Sequence, residues 1–527
     1  MTLPYLPDDC IHHILKYLQG YYSTLYNCTL VNRFWCRATI PLLYADPFTP
    51  SNKYIISNKN IIITFILCFN RAEILQLRNL INLISVNNIE INDEHKVLFE
   101  YQNYLKNYNY YDINDIIIKW IKHIASTQFP NENILENICS IFHQSILNHC
   151  INIKQFTTNF NTFINSDPNF NIPTLNLTQL NSLRLDDLVS LNQGNGREFL
   201  SNIAIDCLNL KELRVSLVEK DVGTEELCMI IQNQNNLEKF NLSKCLLNNN
   251  IFSSLEFQKH SLVSIEFSRV DFSNITFNNL INLYNLNYLR FFGCEGEIPS
   301  IQYEVLNFAS FNLTRLEFQL NTWKEDIIPT IIKYLGHSLR SLSINEKIIT
   351  IPIIENISIY CLNLITLEMR LFYFKNFDLS IFPYFKNLGI RKLCIDSFLN
   401  NESKMSIISL ANNLSTNVKE IYIMSNSSNK NIINGKSSYL KTFLENCHNY
   451  LEIIGLHYNL PEPEYQKIIL NYIQKSNNSL KILKIVGPKE ILNELNVHEQ
   501  VLLDAIRKRG VKTLFDYIRD VHYSRLY

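Results

Sequence analysis

One short apolar pattern recurs along more than half of the chain and limits what the chain can fold into. Twelve times between Leu180 and Ile485, an apolar residue is followed by two variable residues, an apolar residue, one variable residue and a third apolar residue. Leu313-Thr-Arg-Leu316-Glu-Phe318 is a typical copy. Self-similarity at a short period indicates an array of stacked repeats rather than a domain built around one pocket.

The spacing of the copies indicates the kind of repeat. Their first apolar residues stand 24 to 33 residues apart, and stretches with helical spacing such as 327–335 separate them. A period of about 20 to 29 residues with one strand and one helix per unit resembles the leucine-rich repeat. The sequence therefore predicts an α/β fold, in which a curved leucine-rich-repeat solenoid of about 12 to 13 repeats occupies residues 151–498. Ile153-Lys-Gln-Phe156-Thr-Thr158 is interpreted as a degenerate opening repeat.

The strand residues that point away from the core form the candidate partner surface. Strand side chains alternate between faces, so the residue between the last two apolar positions of each copy faces outward. Each of these residues is either a solvated surface position or a partner contact, and the sequence leaves both interpretations open. The candidate substrate-binding residues are Arg184, Arg214, Tyr288, Arg290, Arg315, Glu317, Glu368, Arg370 and Tyr422. Arg290, Arg315 and Arg370 are candidates for a phosphate pocket, because arginine pairs with phosphate in bidentate fashion.

The first 48 residues carry a different pattern, which is helical. Pro7 suits the start of a helix, where its missing N–H costs nothing. Asp8 and Asp9 then face the positive end of the helix dipole. Apolar residues follow at spacings of three and four, which predicts one apolar stripe made of Ile11, Ile14, Leu15 and Leu18.

This segment resembles the F-box of the substrate-receptor subunits of cullin-RING ubiquitin ligases. The resemblance is carried by Leu6-Pro7, the acidic pair, Ile14, Leu18, Leu25, Val31 and Trp35. Asn32 departs from the pattern, since a cysteine often follows the valine, and the closing Pro41-Leu42-Leu43-Tyr44 is similar to a variant of fungal F-box families. The resemblance implies a small three-helix F-box at 1–48 that docks on a Skp-family adaptor and through it on a cullin. The adaptor-binding residues that it implies are Leu6, Pro7, Ile11, Ile14, Leu18, Val31 and Trp35.

A helical cap on the repeat array is the alternative interpretation of this segment, since terminal repeats need capping. The segment has more apolar residues than a core of its size can use. Domains below about 70 residues rarely have a core large enough to be stable alone, so we expect a partner protein to bury the remaining apolar side chains.

Two further segments flank the repeats. Residues 49–150 show helical patterns, as at 61–69 and 116–124, and are predicted to form a helical spacer. Their tyrosine-rich stretch at 101–111 is read as an amphipathic helix followed by a loop, with a binding surface as the alternative. Residues 499–527 are predicted to form a carboxy-terminal cap or tail, with a helix that ends at Gly510 and a short strand after it. A tail that folds back over the inner surface is the second possibility.

Composition argues against several classes of function. The net charge is -1 with 18% charged residues, so neither nucleic acid nor a membrane is expected as a partner. The 13 cysteines include no C-x-x-C pair, which fits a reduced cytoplasmic and/or nuclear protein without a metal site, His149 and Cys150 included. No signal peptide is visible, and the longest apolar run, 61–69, is too short to span a bilayer. Only 12 glycines are present, and phosphate-binding and hydrolase motifs are missing, so neither a cofactor nor enzymatic activity is expected.

These observations predict a non-catalytic substrate-recognition subunit of an SCF-type E3 ubiquitin ligase. The F-box would hold the adaptor, and the repeats would hold a protein substrate whose identity the sequence does not give. A non-degradative leucine-rich-repeat scaffold is the alternative.

Overall fold

The computed structural model describes most of the chain and divides it into two compact units, residues 1–262 and 263–527. The described residues are 7–49, 58–84, 97–125, 131–160, 177–188, 194–217, 224–245, 249–273, 275–346, 349–370, 379–396, 404–424, 436–457, 463–487 and 497–517.

The first unit begins with the helical module predicted at 1–48. It contains α1 (Asp8–Tyr17), α2 (Tyr22–Thr29) and α3 (Arg33–Leu43). Pro7 is the residue before α1, and Asp8 and Asp9 occupy its first turn, as expected. Leu15 and Leu25 are fully buried between the helices. The predicted three-helix segment is therefore confirmed.

Helices and one strand follow in the segment predicted as a spacer. They are α4 (Asn58–Ile66), α5 (Arg71–Asn82), a short 3-10 helix, β1 (Asn107–Asn109), α6 (Tyr110–Ile124) and α7 (Glu132–His149). The tyrosine-rich stretch is not one helix followed by a loop, because it is divided among the 3-10 helix, β1 and the start of α6. Tyr108 is fully buried in β1, where pairing with a neighbouring strand decides the local structure.

Parallel strands in chain order then build each unit. In the first unit, β1 is followed by β2 (Gln155–Asn159), β3 (Ser182–Leu188), β4 (Glu212–Leu217) and β5 (Lys239–Ser243). The described helices between and after these strands, beyond α7, are α8 (Gly194–Asp206), α9 (Thr224–Asn233) and α10 (Asn249–Ser254).

The second unit repeats the same arrangement over ten described strands. They are β6 (Ser264–Ser268), β7 (Tyr288–Phe292), β8 (Arg315–Gln319), β9 (Ser341–Asn345), β10 (Thr366–Arg370), β11 (Lys392–Asp396), β12 (Glu420–Met424), β13 (Ile453–His457), β14 (Ile482–Gly487) and β15 (Lys512–Tyr517). The accompanying α-helices are α11 (Ser300–Glu304), α12 (Ile327–Leu335), α13 (Ile351–Tyr360), α14 (Lys404–Asn412), α15 (Lys436–Asn446), α16 (Pro463–Lys475) and α17 (Val497–Lys508).

The strand positions confirm the repeat pattern. Each of the twelve sequence copies begins two residues before a described strand, from Leu180 with β3 to Leu480 with β14. The degenerate copy at Ile153 stands in the same relation to β2. The α/β prediction is therefore confirmed.

The strands extend past both ends of the range 151–498 predicted for the repeats. Strand β1 lies in the predicted spacer and β15 in the predicted cap. The three apolar positions of the pattern are occupied by Leu105, Tyr108 and Tyr110 around β1. Because two of them are tyrosines, the pattern was not recognised as a repeat. In β15, Thr513 stands in register with the apolar Leu483 of β14, so the apolar signal is lost although the pairing remains.

A single carbonyl holds each repeat to the next. Just before β8, the carbonyl of Thr314 accepts from the amides of Arg340 and Ser341, at 2.9 and 3.0 Å. The same two-to-one bonding recurs along both units. Together with the hydrogen bonds between paired strands, it keeps neighbouring strands in register, so corresponding residues of successive repeats form straight rows across the strands.

The core lies between the strands and the helices. In the second unit, Phe291 stacks between Phe267 and Phe318, with ring centroids 5.8 and 5.7 Å apart. These rings occupy the third apolar position of three successive copies. Trp323 meets Phe291 edge-on at 5.0 Å and extends the cluster towards the helices.

Candidate functional site

The amino-terminal module presents apolar side chains to solvent. Leu30 is 70% exposed and Val31 is 60% exposed, both at the turn between α2 and α3, and Ile14 on α1 is 40% exposed. Large exposed apolar groups close together on a small module indicate a surface that a partner covers. Sequence reasoning did not include Leu30 or the exposed Tyr17 among the candidate contacts, since neither stands out from its neighbours in the pattern.

The structure separates the predicted adaptor contacts into accessible and buried groups. Pro7, Ile14 and Val31 are exposed, while Leu18 and Trp35 are half-buried. Ile11 is only 4% exposed, so it packs inside the module and is not available as an adaptor contact in this conformation. Leu6 lies outside the described residues.

Asn32, which departs from the F-box pattern, has a clear structural role. Its side-chain oxygen accepts a hydrogen bond from the backbone N–H of Trp35 at 3.0 Å and caps the start of α3. Asparagine is among the preferred residues at this position because it satisfies an otherwise unpaired helix N–H. The replacement therefore stabilises the helix next to the exposed Val31.

Backbone hydrogen bonds join the module to the first strand of the first unit. The carbonyl of Ala45, two residues after α3, accepts from the amides of Lys106 and Asn107 at 2.9 and 3.2 Å. The carbonyl of Lys106 accepts in the same way from the next repeat, so Ala45 acts as the first member of that series. Tyr44 packs at 4.4 Å from the ring of Tyr101 and reinforces the junction.

The outward arginines of the first unit are paired with carboxylates. Arg184 and Arg214 stand in register on β3 and β4. Arg184 donates to Asp186 at 2.9 Å, and Arg214 donates to Glu212 at 2.6 Å. Two like charges side by side are thus each offset by a partner on the same strand.

The outward residues of β6 to β8 form one charge network in the second unit. Arg290 lies between Glu266 and Glu317, with N–O distances of 3.5 Å to each. Arg315 donates to Glu317 at 2.7 Å, and its guanidinium carbon lies 5.0 Å from the ring centre of Tyr288. Burial raises the pKa of Tyr288, and the two glutamates add to the effect.

This network does not support the predicted phosphate pocket. Arg290 and Arg315 do come together, but carboxylates already pair with both: Glu266 and Glu317 on the adjacent strands with Arg290, and Glu317 on the same strand with Arg315. A phosphate would have to displace these carboxylates and would meet their negative charge. The side chain of Arg370 lies outside the described residues, although its backbone ends β10. Glu368 lies one strand away from Cys394, which is in register with it.

Tyr422 occupies a distinct environment on β12. It is only 8% exposed although it is on the outward face, because its ring lies flat over Gly455 of the next strand. Lys392, on the preceding strand, and Lys484, on β14 beyond Gly455, approach the ring at 4.3 and 5.7 Å from its centre. Two lysine side chains therefore lie over this ring.

The cysteines of the repeats serve packing. Cys207 and Cys361 are buried before their strands, where burial raises the pKa of each thiol to about 12. A thiol that stays protonated is neither a good nucleophile nor a metal ligand. Among the described residues, no group of three His, Cys, Asp or Glu side chains is arranged to hold a metal ion. No helix in the described part of the chain is both long and apolar enough to cross a bilayer.

Comparison with known proteins agrees with the amino-terminal geometry. Residues 3–50 match the F-box-like family. No curated protein matches the sequence. Among solved structures, the leucine-rich repeat-containing protein LegL7 from Legionella pneumophila is similar, with 13% identity and a TM-score of 0.38 over 53% of this chain and 90% of that one. The repeat interpretation rests on the strand register described above rather than on this likeness. The chain thus carries an F-box-like domain at its amino terminus, followed by parallel strand-and-helix repeats.

Proposed function

We propose that the chain is a non-catalytic substrate receptor of an SCF-type ubiquitin ligase. Its F-box-like domain would bind a Skp-type adaptor and, through it, a cullin. Its repeats would bind a protein substrate in the cytoplasm or nucleus. The observation that carries the proposal is the solvent exposure of the apolar side chains Ile14, Leu30 and Val31 on a three-helix F-box-like domain.

The junction at Ala45 supports the same function. Backbone hydrogen bonds, rather than a loose linker, join the helices that would bind the adaptor to the first repeats of this unit. The position of a bound adaptor relative to those repeats would therefore be fixed. A receptor needs this coupling, because ubiquitin transfer depends on holding a substrate at a defined place. The buried aromatic contact between Phe48 and Phe65, at 4.9 Å, further stiffens the connection to α4.

Co-purification with a Skp-type adaptor tests the proposal. A double variant, Ile14→Asp and Val31→Asp, places two charges on the exposed surface without touching the buried Leu15 and Leu25. Desolvating an unpaired charge costs several kcal/mol, so we expect adaptor capture to be lost. Leu83→Asp is the matched control, since Leu83 is 67% exposed outside the F-box-like domain and its change leaves capture intact.

Circular dichroism of both variants checks that they fold. Equal capture by the folded double variant and the control would refute the adaptor assignment. For the wild-type complex, adding the cullin and measuring ubiquitin transfer to a captured partner separates a degradative receptor from a scaffold. A partner that is bound stably but never modified would favour the scaffold.

A further inference from the structure

We propose that the outward face of β11 to β15, on the side where these strands begin, binds an acidic peptide segment anchored by an apolar side chain. This inference deepens the proposed function, on which it rests, by naming the class of substrate segment. The face lies wholly within the second unit.

The centre of this face is apolar, which is unusual for outward strand positions. Ile453 and Ile482 stand side by side at the first outward position of β13 and β14, and both are half-buried. Leu514 is at the second outward position of β15, in register with Lys484. Outward positions on β6 to β10 instead carry mostly charged or hydroxyl side chains. An apolar centre of this kind suits an apolar anchor from a partner.

Gly455 makes room for the aromatic part of this centre. A Cβ at Gly455 would stand 2.2 Å from Cδ1 of Tyr422, so only glycine allows the ring to lie flat on β13. The ring lies over Gly455, whose neighbours are Ile453 on the same strand and Lys484 on β14. Apolar side chains spread over several adjacent strands suit an extended segment better than a small molecule, which prefers a concave site.

Basic residues surround the apolar centre where the strands begin. Those on the outward positions are Lys392, Lys484 and Lys512, and the residues just before the strands add Arg391, Lys419 and Lys481. Glu420 and Glu452 are the acids among the described side chains at the same positions, and they pair with Arg391 and Lys481 at 3.4 and 3.0 Å.

The effect of this positive charge is visible at Glu452. Its pKa is lowered by the hydrogen bond from Lys481 and by the charges of Lys481, Arg391 and Lys419. The acidic residues of a bound segment would therefore lie towards the beginning of the strands, beside Lys481, Arg391 and Lys419.

A peptide fits this face better than a nucleic acid does. Tyr422, the aromatic ring at its centre, is 8% exposed beneath two lysines, so its face is closed to base stacking. Neighbouring strands lie about 4.8 Å apart, so β11 to β15 span roughly 19 Å. An extended segment of about six residues covers that distance.

Selection from a displayed library of random peptides, with the full chain bound to its adaptor as bait, tests the inference. We expect enriched peptides to be net negative and to share at least one large apolar residue. Their binding should fall about tenfold or more in the double variant Lys392→Glu and Lys484→Glu, and should weaken as salt rises. The matched control, Lys467→Glu with Lys475→Glu, makes the same charge change on exposed positions of α16 and should bind as the wild type does.

Lys512→Glu is a second variant that we expect to fold as the wild type does, since Lys512 is exposed on β15. It should weaken binding of the same peptides.

Enrichment of neutral or basic peptides, no enrichment over the double variant, or equal loss of binding in the control would each overturn the inference. Binding of a fluorescent oligoribonucleotide to the wild type but not to the double variant would also overturn it. The same holds if the wild-type chain self-associates and the double variant is monomeric. Peptide binding that appears only when 518–527 are removed would make the chain's own end the occupant and would also overturn it. Adaptor capture is measured on the same samples, so intact capture with failed selection refutes this inference alone.

Discussion

Replacing Phe291 by alanine tests whether the stacked phenylalanines hold the second unit together. Phe291 is 1% exposed and lies between the rings of Phe267 and Phe318. The edge-on contact with Trp323 adds a fourth ring to the cluster. In an array where each repeat contacts only its neighbours, the loss of this ring weakens the interfaces on both sides of β7.

The expected cost follows from these contacts. Removal of a buried phenylalanine side chain costs about 3 to 5 kcal/mol, of which each lost aromatic pair contributes about 0.5 to 1.5 kcal/mol. Phe291→Leu keeps most of the apolar volume and loses the three ring contacts, so it should cost about 1.5 to 3 kcal/mol, less than Phe291→Ala. Phe308 is 74% exposed, and Phe308→Ala should change stability by less than about 0.5 kcal/mol.

Urea unfolding followed by tryptophan fluorescence and by circular dichroism measures these differences. Trp323 reports on the second unit, whereas Trp35 and Trp120 are in the first. The two signals must be compared, because long repeat arrays can unfold in more than one step. A loss below about 1 kcal/mol for Phe291→Ala, or a loss equal to that of Phe308→Ala, would refute the reasoning.

Three other changes test separate parts of the structure. Asn32→Ala removes the cap of α3 and should cost about 1 kcal/mol, seen as faster hydrogen exchange over 33–43; unchanged exchange would contradict the capping role. Gln234 accepts from the amide of Leu210 at 2.8 Å and donates to the carbonyl of Cys207 at 2.7 Å, so Gln234→Ala should cost about 1 to 3 kcal/mol in urea unfolding, while Asn236→Ala on the surface should not. Burial lowers the pKa of His143 to about 3, so the unfolded chain binds an extra proton between about pH 6.5 and 3. The contribution of His143 to the free energy of unfolding is therefore complete above about pH 6.5. Below about pH 6.5 it decreases by up to about 1.4 kcal/mol for each unit that the pH falls. His143→Phe should reduce this pH dependence of stability, and an equal dependence in both proteins would contradict the prediction.

The strands were predictable from the sequence, because each depends on a local pattern. Three apolar residues at fixed spacing bury one side of a strand wherever they occur, and Leu180 to Ile485 contain that pattern at every repeat. The pattern fails where one residue is replaced by a polar one. Thr513 therefore hid the repeat pattern in β15, so the short strand predicted after Gly510 was assigned to the cap although it pairs with β14 as a further repeat strand.

The candidate site was predictable only in part. Sequence placed Arg290, Arg315 and Tyr422 on the outward face, which alternation alone decides. It did not show that Arg290 lies between Glu266 and Glu317, since these three residues come from different repeats and meet only through the strand register. Within the amino-terminal module, the apolar stripe included both Ile11 and Ile14, and the packing of the helices decides that the first is buried and the second exposed.

The sequence by itself therefore determined the repeat length, the position of most strands, the outward residues and the F-box-like segment, because these follow from spacing along the chain. The tertiary structure decided which charged groups meet, as Arg290 between Glu266 and Glu317 and Lys392 over the ring of Tyr422 show. It also decided that Ala45 bonds to the first strand and that Tyr422 lies on Gly455. Each of these contacts joins residues at least 24 positions apart, and only the stacking of repeats brings them within bonding distance.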